Sequence, residues 1–196
     1  DLRTGAFSGG SGETAVLNAA SAQLSNWLDL PSGVACSMTD AKAIDAQYGM
    51  EKGITSFAAA AAGGNMIYES SGMTASLLGV SFEAFVLDDE MHSNTYRALR
   101  GVEVSKDNLG YDAIIEAVLG EGHFLAGQHT LEAMERDYFY PSLADREEPK
   151  TWSENGSKDA WKRANEYAQK ILSTYKPNYM TAQQDDEIRK RFNILF

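Results

Sequence analysis

The stretch Gly33-Val34-Ala35-Cys36-Ser37-Met38-Thr39-Asp40-Ala41-Lys42 decides how the chain is read. Its first four residues are apolar and compact, which predicts a short buried strand. The polar residues Ser37–Lys42 then predict a loop. A helix follows over about Ala43–Ala62 and stops at Gly63-Gly64, because glycine accepts the left-handed conformation that closes a helix. The run Ala58–Ala62 favours tightly packed helix over linker, since alanine is the best helix former. The same order recurs downstream. Asn65-Met66-Ile67-Tyr68 predicts a strand, Glu69-Ser70-Ser71-Gly72 a polar loop, and Ser81–Arg100 a helix. Strand, loop and helix in alternation predict parallel βα units and an α/β fold. Two strands do not make a stable parallel sheet, which needs neighbours and cover on both faces. Either the helices dominate or the chain is part of a larger barrel, and the pattern favours the barrel.

Outward from that core, the chain opens on the glycine-rich Ser8-Gly9-Gly10-Ser11-Gly12-Glu13. Val16, Leu17, Ala20, Leu24, Trp27 and Leu28 then recur at helical spacing, with Ser11 as the N-cap and Glu13 in the first turn. Pro31-Ser32-Gly33 breaks this helix. From Asp107 onward no strand is predicted. Tyr111–Leu119, Thr130–Asp137, Ser157–Tyr175 and Thr181–Phe192 read as helices, with Ser157 capping the third and Pro177 closing it. Residues 1–130 are thus expected to carry the βα units and residues 131–196 a helical C-terminal extension.

The 196 residues fit one domain, and 43% hydrophobic with 23% charged residues is an ordinary globular composition. A net charge of −11 argues against a nucleic-acid partner, which needs clustered Lys and Arg. The acidity is either a solvated surface or an attraction for a cationic ligand. No apolar run is long enough to span a bilayer, so no membrane partner is expected. The single cysteine, Cys36, excludes an intrachain disulfide and suits a reducing cytoplasm. The start at Asp1 carries no signal-peptide pattern and no initiator Met, as in a processed chain or a fragment.

Loops that follow strands carry the active site in α/β barrels, so Asp40 and its polar neighbours Asp45, Gln47 and Glu51 are candidates. Asp45 serves equally as a helix cap. Glu69 holds the equivalent place after the second strand. Its carboxylate suits a positively charged substrate, and the Tyr68 ring offers a face to a quaternary ammonium. The alternatives are a core Tyr68 and a solvated Glu69. Gly9-Gly10-Ser11-Gly12 is a tight turn or an anion cradle, but it is neither a dinucleotide fingerprint nor a P-loop. His92, His123 and His129 match no zinc spacing, and no metal set is expected. There is no nucleophile elbow, and Cys36 reads as a buried structural thiol.

Four blocks in order resemble the trimethylamine methyltransferase family. They are Asp1-Leu2-Arg3-Thr4-Gly5-Ala6; Thr39-Asp40-Ala41-Lys42 with Asp45-Ala46-Gln47 and Glu51-Lys52; Phe124-Leu125 with His129-Thr130; and Pro141-Ser142-Leu143, Asp145-Arg146, Trp152 and Gly156-Ser157-Lys158-Asp159. The resemblance implies the C-terminal part of a (β/α)8 barrel with a helical extension. It implies transfer of a methyl group from an amine at the barrel mouth to the Co(I) of a corrinoid carried by a separate protein. It makes Asp40 and Glu69 the candidate catalytic carboxylates, and Met38, Gln47, Tyr68 and His129 the candidate substrate contacts. Homo-oligomerisation is left open. Family members acting on trimethylamine carry pyrrolysine just before the Asp-Ala-Lys block, where this chain has Met38 or, with a longer loop, Ser37. Relatives without pyrrolysine resemble methyltransferases of glycine betaine and other quaternary amines. The resemblance leaves two further readings: a non-catalytic module that binds methylated ammonium, and a trimethylamine enzyme whose pyrrolysine position is read as another residue.

Overall fold

Helix α1 (Gly12–Trp27) starts because the Ser11 side chain accepts from the Thr14 N–H. It leads into strand β1 (Gly33–Ala35), helix α2 (Ala46–Ala61) and strand β2 (Met66–Tyr68). The computed structural model describes residues 1–177 and 179–194. β1 and β2 pair in parallel, with Gly33 opposite Met66, Val34 opposite Ile67 and Ala35 opposite Tyr68. The predicted βα order is therefore present. α2 begins at Ala46 rather than at Ala43 because the Asp45 carboxylate caps it, accepting from the Gln47 and Tyr48 N–H groups.

One face of the β1–β2 pair is covered. Val34, Cys36 and Ala59 form a buried cluster with Ile67 packed on it. α1 and α2 approach closely because small residues, Ala15 and Ala22 on one and Ala59 on the other, are the buried ones. The large apolar residues whose spacing predicted α1 point elsewhere: Val16, Leu17, Leu24 and Trp27 are exposed. The opposite face of the strands is open, with Met66 60% and Tyr68 44% exposed.

After β2 the chain makes a short antiparallel hairpin that the sequence did not predict, β3 (Met73–Thr74) with β4 (Gly79–Val80). Helix α3 (Phe82–Arg100) is capped by Ser81 and packs on α2. The remaining elements are helical: α4 (Tyr111–Leu119), α5 (Gln128–Asp137), α6 (Pro149–Glu154), α7 (Ala160–Thr174) and α8 (Ala182–Arg191). The short α6, with Pro149 in its first turn, was not predicted. Ser157 is not a cap. It takes a left-handed φ of 51° and its N–H closes the preceding turn onto the Trp152 carbonyl, so Asp159 caps α7 by accepting from the Lys162 N–H. α7 lies on α3 with Ala164 and Ala168 buried. The molecule is thus mixed α/β and mostly helical. Within 131–196 the elements among the described residues are helices joined by irregular segments, with α5 already under way from Gln128; positions 178, 195 and 196 lie outside the described residues.

Candidate functional site

The loop from Cys36 to Ala41 leaves the C-terminal end of β1, and almost all of it is buried. Ser37 turns it sharply with a left-handed φ of 62°. The Ser37 N–H donates to the Thr55 hydroxyl at 3.1 Å, while the buried Ser37 hydroxyl has no hydrogen-bond partner among the described residues. Burial raises the Cys36 thiol to about 11, so it stays protonated and unreactive, as a structural thiol does.

Asp40 joins three segments of chain. Its Oδ1 accepts from the Gly9 N–H at 2.9 Å and the Ser76 hydroxyl at 2.8 Å, and its Oδ2 from the Ser8 hydroxyl at 2.9 Å. Burial pushes this carboxyl up, but the N–H groups of Gly9 and Gly10 and the hydroxyls of Ser76 and Ser8 outweigh it and hold it below its ordinary value. Asp40 is a fixed negative charge.

Glu51, on the first turns of α2, ties down the same loop. Its Oε2 accepts from the Thr39 hydroxyl at 2.7 Å and the Asp40 N–H at 2.8 Å, and its Oε1 from the Gln47 amide at 2.8 Å. The glycine-rich opening is pressed onto this arrangement. A Cβ on Gly9 would lie 2.9 Å from Met38 Cβ, and one on Gly10 would overlap the Glu51 carboxylate. Close approach is what these two glycines provide.

The structure therefore gathers Asp40, Met38 and Gln47 around one loop. Met38 is buried against Gly9, and Gln47 is exposed at the rim. Tyr68 and Glu69 stand at the end of the adjacent strand, where Ala35 and Tyr68 are in register. The Tyr68 ring lies 3.4 Å from where a Gly33 side chain would begin, so the missing side chain makes room for it. Glu69 is exposed and left-handed, with φ 60°. His129 belongs to other company: its ring meets the Asp107 carbonyl at 3.0 Å and packs near Gly110, both ahead of α5.

Sequence reasoning missed a buried ion pair behind the loop. Lys52 Nζ meets Asp88 Oδ2 at 2.6 Å with the two side chains 0% and 1% exposed. Tyr48 donates its hydroxyl to Asp88 Oδ1 at 2.6 Å, and the Lys52 ammonium sits 5.0 Å from the Tyr48 ring centre. Burial lowers the Lys52 pKa, against the pull of Asp88, and burial beside the Asp88 charge raises that of Tyr48. A signal was present: Tyr48, Lys52, Thr55, Ser56 and Ala59 are the buried residues of α2 and follow the helical period, so the period ran through polar residues.

Comparison with known proteins supplies the remaining observation. The family model described as trimethylamine methyltransferase (MTTB) matches residues 1–193. The chain is similar to a glycine betaine methyltransferase of Desulfitobacterium hafniense (strain Y51), 32% identical over 189 residues, covering 96% of this chain and 39% of that protein. It is similar to trimethylamine methyltransferase MttB of Methanosarcina thermophila, 36% identical over 178 residues, covering 89% of this chain and 36% of that one. MttB2 of Methanosarcina mazei is 37% identical over 176 residues, covering 89% and 35%. The chain thus spans less than two fifths of the length of these relatives. With the match running through the Asp40 loop, the hairpin and the helices beyond, the chain belongs to the trimethylamine methyltransferase family.

Proposed function

We propose that this chain is the C-terminal part of a (β/α)8 barrel enzyme that moves a methyl group from a quaternary or tertiary amine, glycine betaine-like, to the Co(I) of a corrinoid on a partner protein. In this reading residues 1–130 carry barrel βα units and residues 131–196 the helical extension, in a cytoplasmic protein. The uncovered face of the β1–β2 pair supports the barrel, because a parallel sheet is covered on both faces.

The observation that carries the reading is the placement of a carboxylate residue after each of two parallel strands. Asp40 follows β1 and stays ionised; Glu69 follows β2 and is open to a ligand. An ammonium there gains from both carboxylates, and the half-exposed Tyr68 ring offers its face to the methyl groups. Met38, buried against Gly9, gives the loop an apolar backing, while Gln47 supplies a rim contact and His129 a contact from the helical segment in the assembled protein. When docked, the corrinoid supplies the nucleophile. The carbon–nitrogen bond breaks with its electron pair left on nitrogen. A quaternary ammonium therefore departs as a neutral amine without a proton donor, which suits Met38 or Ser37 in place of pyrrolysine. The exposed end of β2 leaves room for a group delivered from outside.

The full-length protein, given glycine betaine and Co(I) cobalamin, is expected to produce the absorbance change of cobalt methylation. No change with any methylated amine would refute transfer, and saturable binding without methyl loss would identify a binding module. Because relatives at 36–37% identity carry trimethylamine in their names, mass spectrometry of the peptide spanning residues 33–42 is the companion measurement. It is expected to show methionine at position 38.

A further inference from the structure

We propose that Asp88, through its acceptor contact to the Gly72 N–H, is a positioning residue that sets the residue 72–77 loop against Asp40 and so orients the methylated-amine site. The inference rests on the function proposed above for that site. Its own evidence is a chain of contacts outside it.

Asp88 lies on α3 and touches none of the candidate substrate contacts. Besides Lys52 and Tyr48, its Oδ2 accepts from the Gly72 N–H at 2.7 Å. Lys52 reaches the next residue, donating to the Met73 carbonyl at 3.3 Å. The pair therefore grips the entry of the hairpin by one backbone donor and one backbone acceptor. Gly72 fits there because a side chain would overlap the Phe85 ring and because its φ is 78°.

Beyond this grip the loop is strained. Ala75, Ser76 and Leu77 are consecutive non-glycine residues at φ 50°, 56° and 73°. Left-handed backbone is disfavoured for each of these residues, so the run persists only where surrounding contacts impose it. Those contacts go to the candidate site. The Ala75 N–H donates to the Ala41 carbonyl at 2.7 Å, and the Ser76 N–H to the Thr39 carbonyl at 2.9 Å. The Ser76 hydroxyl donates to Asp40. One end of the strained loop is thus clamped by the ion pair, and the other supplies a hydrogen bond to the carboxylate that faces the amine in the proposed site.

A buried pair is a poor stabiliser by itself, since the desolvation of two charges offsets their attraction and an apolar replacement is often neutral. Retaining it makes sense where its polar atoms hold backbone that an apolar pair could not. This gives a clean separation between structural and positioning roles. In the full-length protein, the double variant Lys52→Met/Asp88→Leu removes both charges together and the acceptor for Gly72. Lys52→Met/Asp88→Asn removes the charges but keeps an amide oxygen for the Gly72 N–H. Both are compared with wild type by thermal melting, by hydrogen exchange at the amides of residues 72–77, and by calorimetric affinity for glycine betaine and tetramethylammonium.

The Leu variant leaves the Gly72 N–H without its acceptor, so it is expected to melt below wild type, to exchange faster at Gly72, Ala75 and Ser76, and to bind on the order of tenfold more weakly, because the loop no longer fixes Asp40. The Asn variant is expected to recover both slow exchange and affinity. Equal exchange and affinity in all three proteins would overturn the positioning role. Should the Leu variant fail to fold, Ser76→Ala cuts the same connection at its other end. It is expected to weaken binding with melting unchanged, and unaltered affinity there would count against the proposal. If wild type binds neither ammonium compound, the amine reading fails by itself, while the exchange comparison still decides whether Asp88 holds the loop.

Discussion

Residues 1–100 and 101–194 are folded by different means. In the first region the buried residues include Ser37, Thr39, Lys52, Thr55, Ser56 and Asp88, and the loops are held by carboxylates that accept several hydrogen bonds each. In the second, α4, α5, α6 and α8 have no buried residue, and the charged pairs are exposed. The first region places polar groups where water cannot reach, so each must be satisfied by a specific partner. That is costly to arrange and gives fixed geometry. The second region gains helix stabilisation from caps, such as the Thr181–Gln184 box of α8, and meets the first chiefly through α7, which packs on α3 with Ala164 and Ala168 buried. The proposed function draws on this first region, where Asp40, Met38, Tyr68 and Glu69 sit.

The strongest way to break this contrast is Lys52→Met alone. It leaves the Asp88 carboxylate buried without its cation, and such a loss costs about 3–5 kcal/mol. The variant is expected to unfold at markedly lower urea concentration than the paired Lys52→Met/Asp88→Leu variant. Equal midpoints for the single and double variants would mean that the pair is not what holds the first region together.

Glu90 tests the junction between the regions. It lies two residues after Asp88 on α3 and accepts from the Ser142, Leu143 and Ala144 N–H groups and the Ser142 hydroxyl, at 2.6–3.2 Å. One carboxylate thus docks the loop that leads to α6 and α7. Glu90→Ala orphans these donors, but Ser142 reaches water, so the expected cost is smaller, about 2 kcal/mol. Limited proteolysis is expected to cut within residues 138–148 before any cut appears in residues 33–77. Simultaneous cleavage in both segments would show that the two regions unfold as one.

The same contrast explains what the sequence disclosed. The helices other than the short α6, and both parallel strands, were legible because their residues carry period in linear order, and Ser11, Asp45, Ser81 and Thr181 cap as side chains of that type do. The hairpin was not legible. Two-residue strands show no alternation, and nothing in Ala75-Ser76-Leu77 announces three left-handed residues, since tertiary contacts impose them. Asp40 was legible as the polar residue after a strand, but its hydrogen-bond donors come from 31 to 36 residues away in sequence. Lys52 and Asp88 were missed because charged residues on helices are ordinarily solvated, and only the facing helix reveals them as a pair. Legibility fell where the fold depends on contacts between distant segments.

The smallest expected effect concerns two carboxyls that are both held below their ordinary value, one in each region. For Asp40 the opposing influences are burial, which raises it, and the N–H and hydroxyl donors of Gly9, Ser76, Ser8 and Gly10, which lower it. For the exposed Asp137 the cause is the Arg136 side chain beside it, with Arg100 and Arg97 adding their charge. A carboxyl depressed in the folded state contributes stability above its unfolded pKa, and that contribution is lost as pH falls through the folded value. Both groups therefore favour the folded state at neutral pH and cease to do so in acid. Salt separates them. Charge attraction across solvent is screened at high ionic strength, whereas short hydrogen bonds to neutral donors are not. Side-chain carboxyl titrations followed by NMR at low salt and in 1 M salt, where the screening length is about 3 Å, are expected to move the Asp137 midpoint upward and leave that of Asp40 low. If both midpoints rise together, Asp40 is held by diffuse charge like any surface carboxylate, and the fixed geometry assigned to the first region does not extend to its central residue.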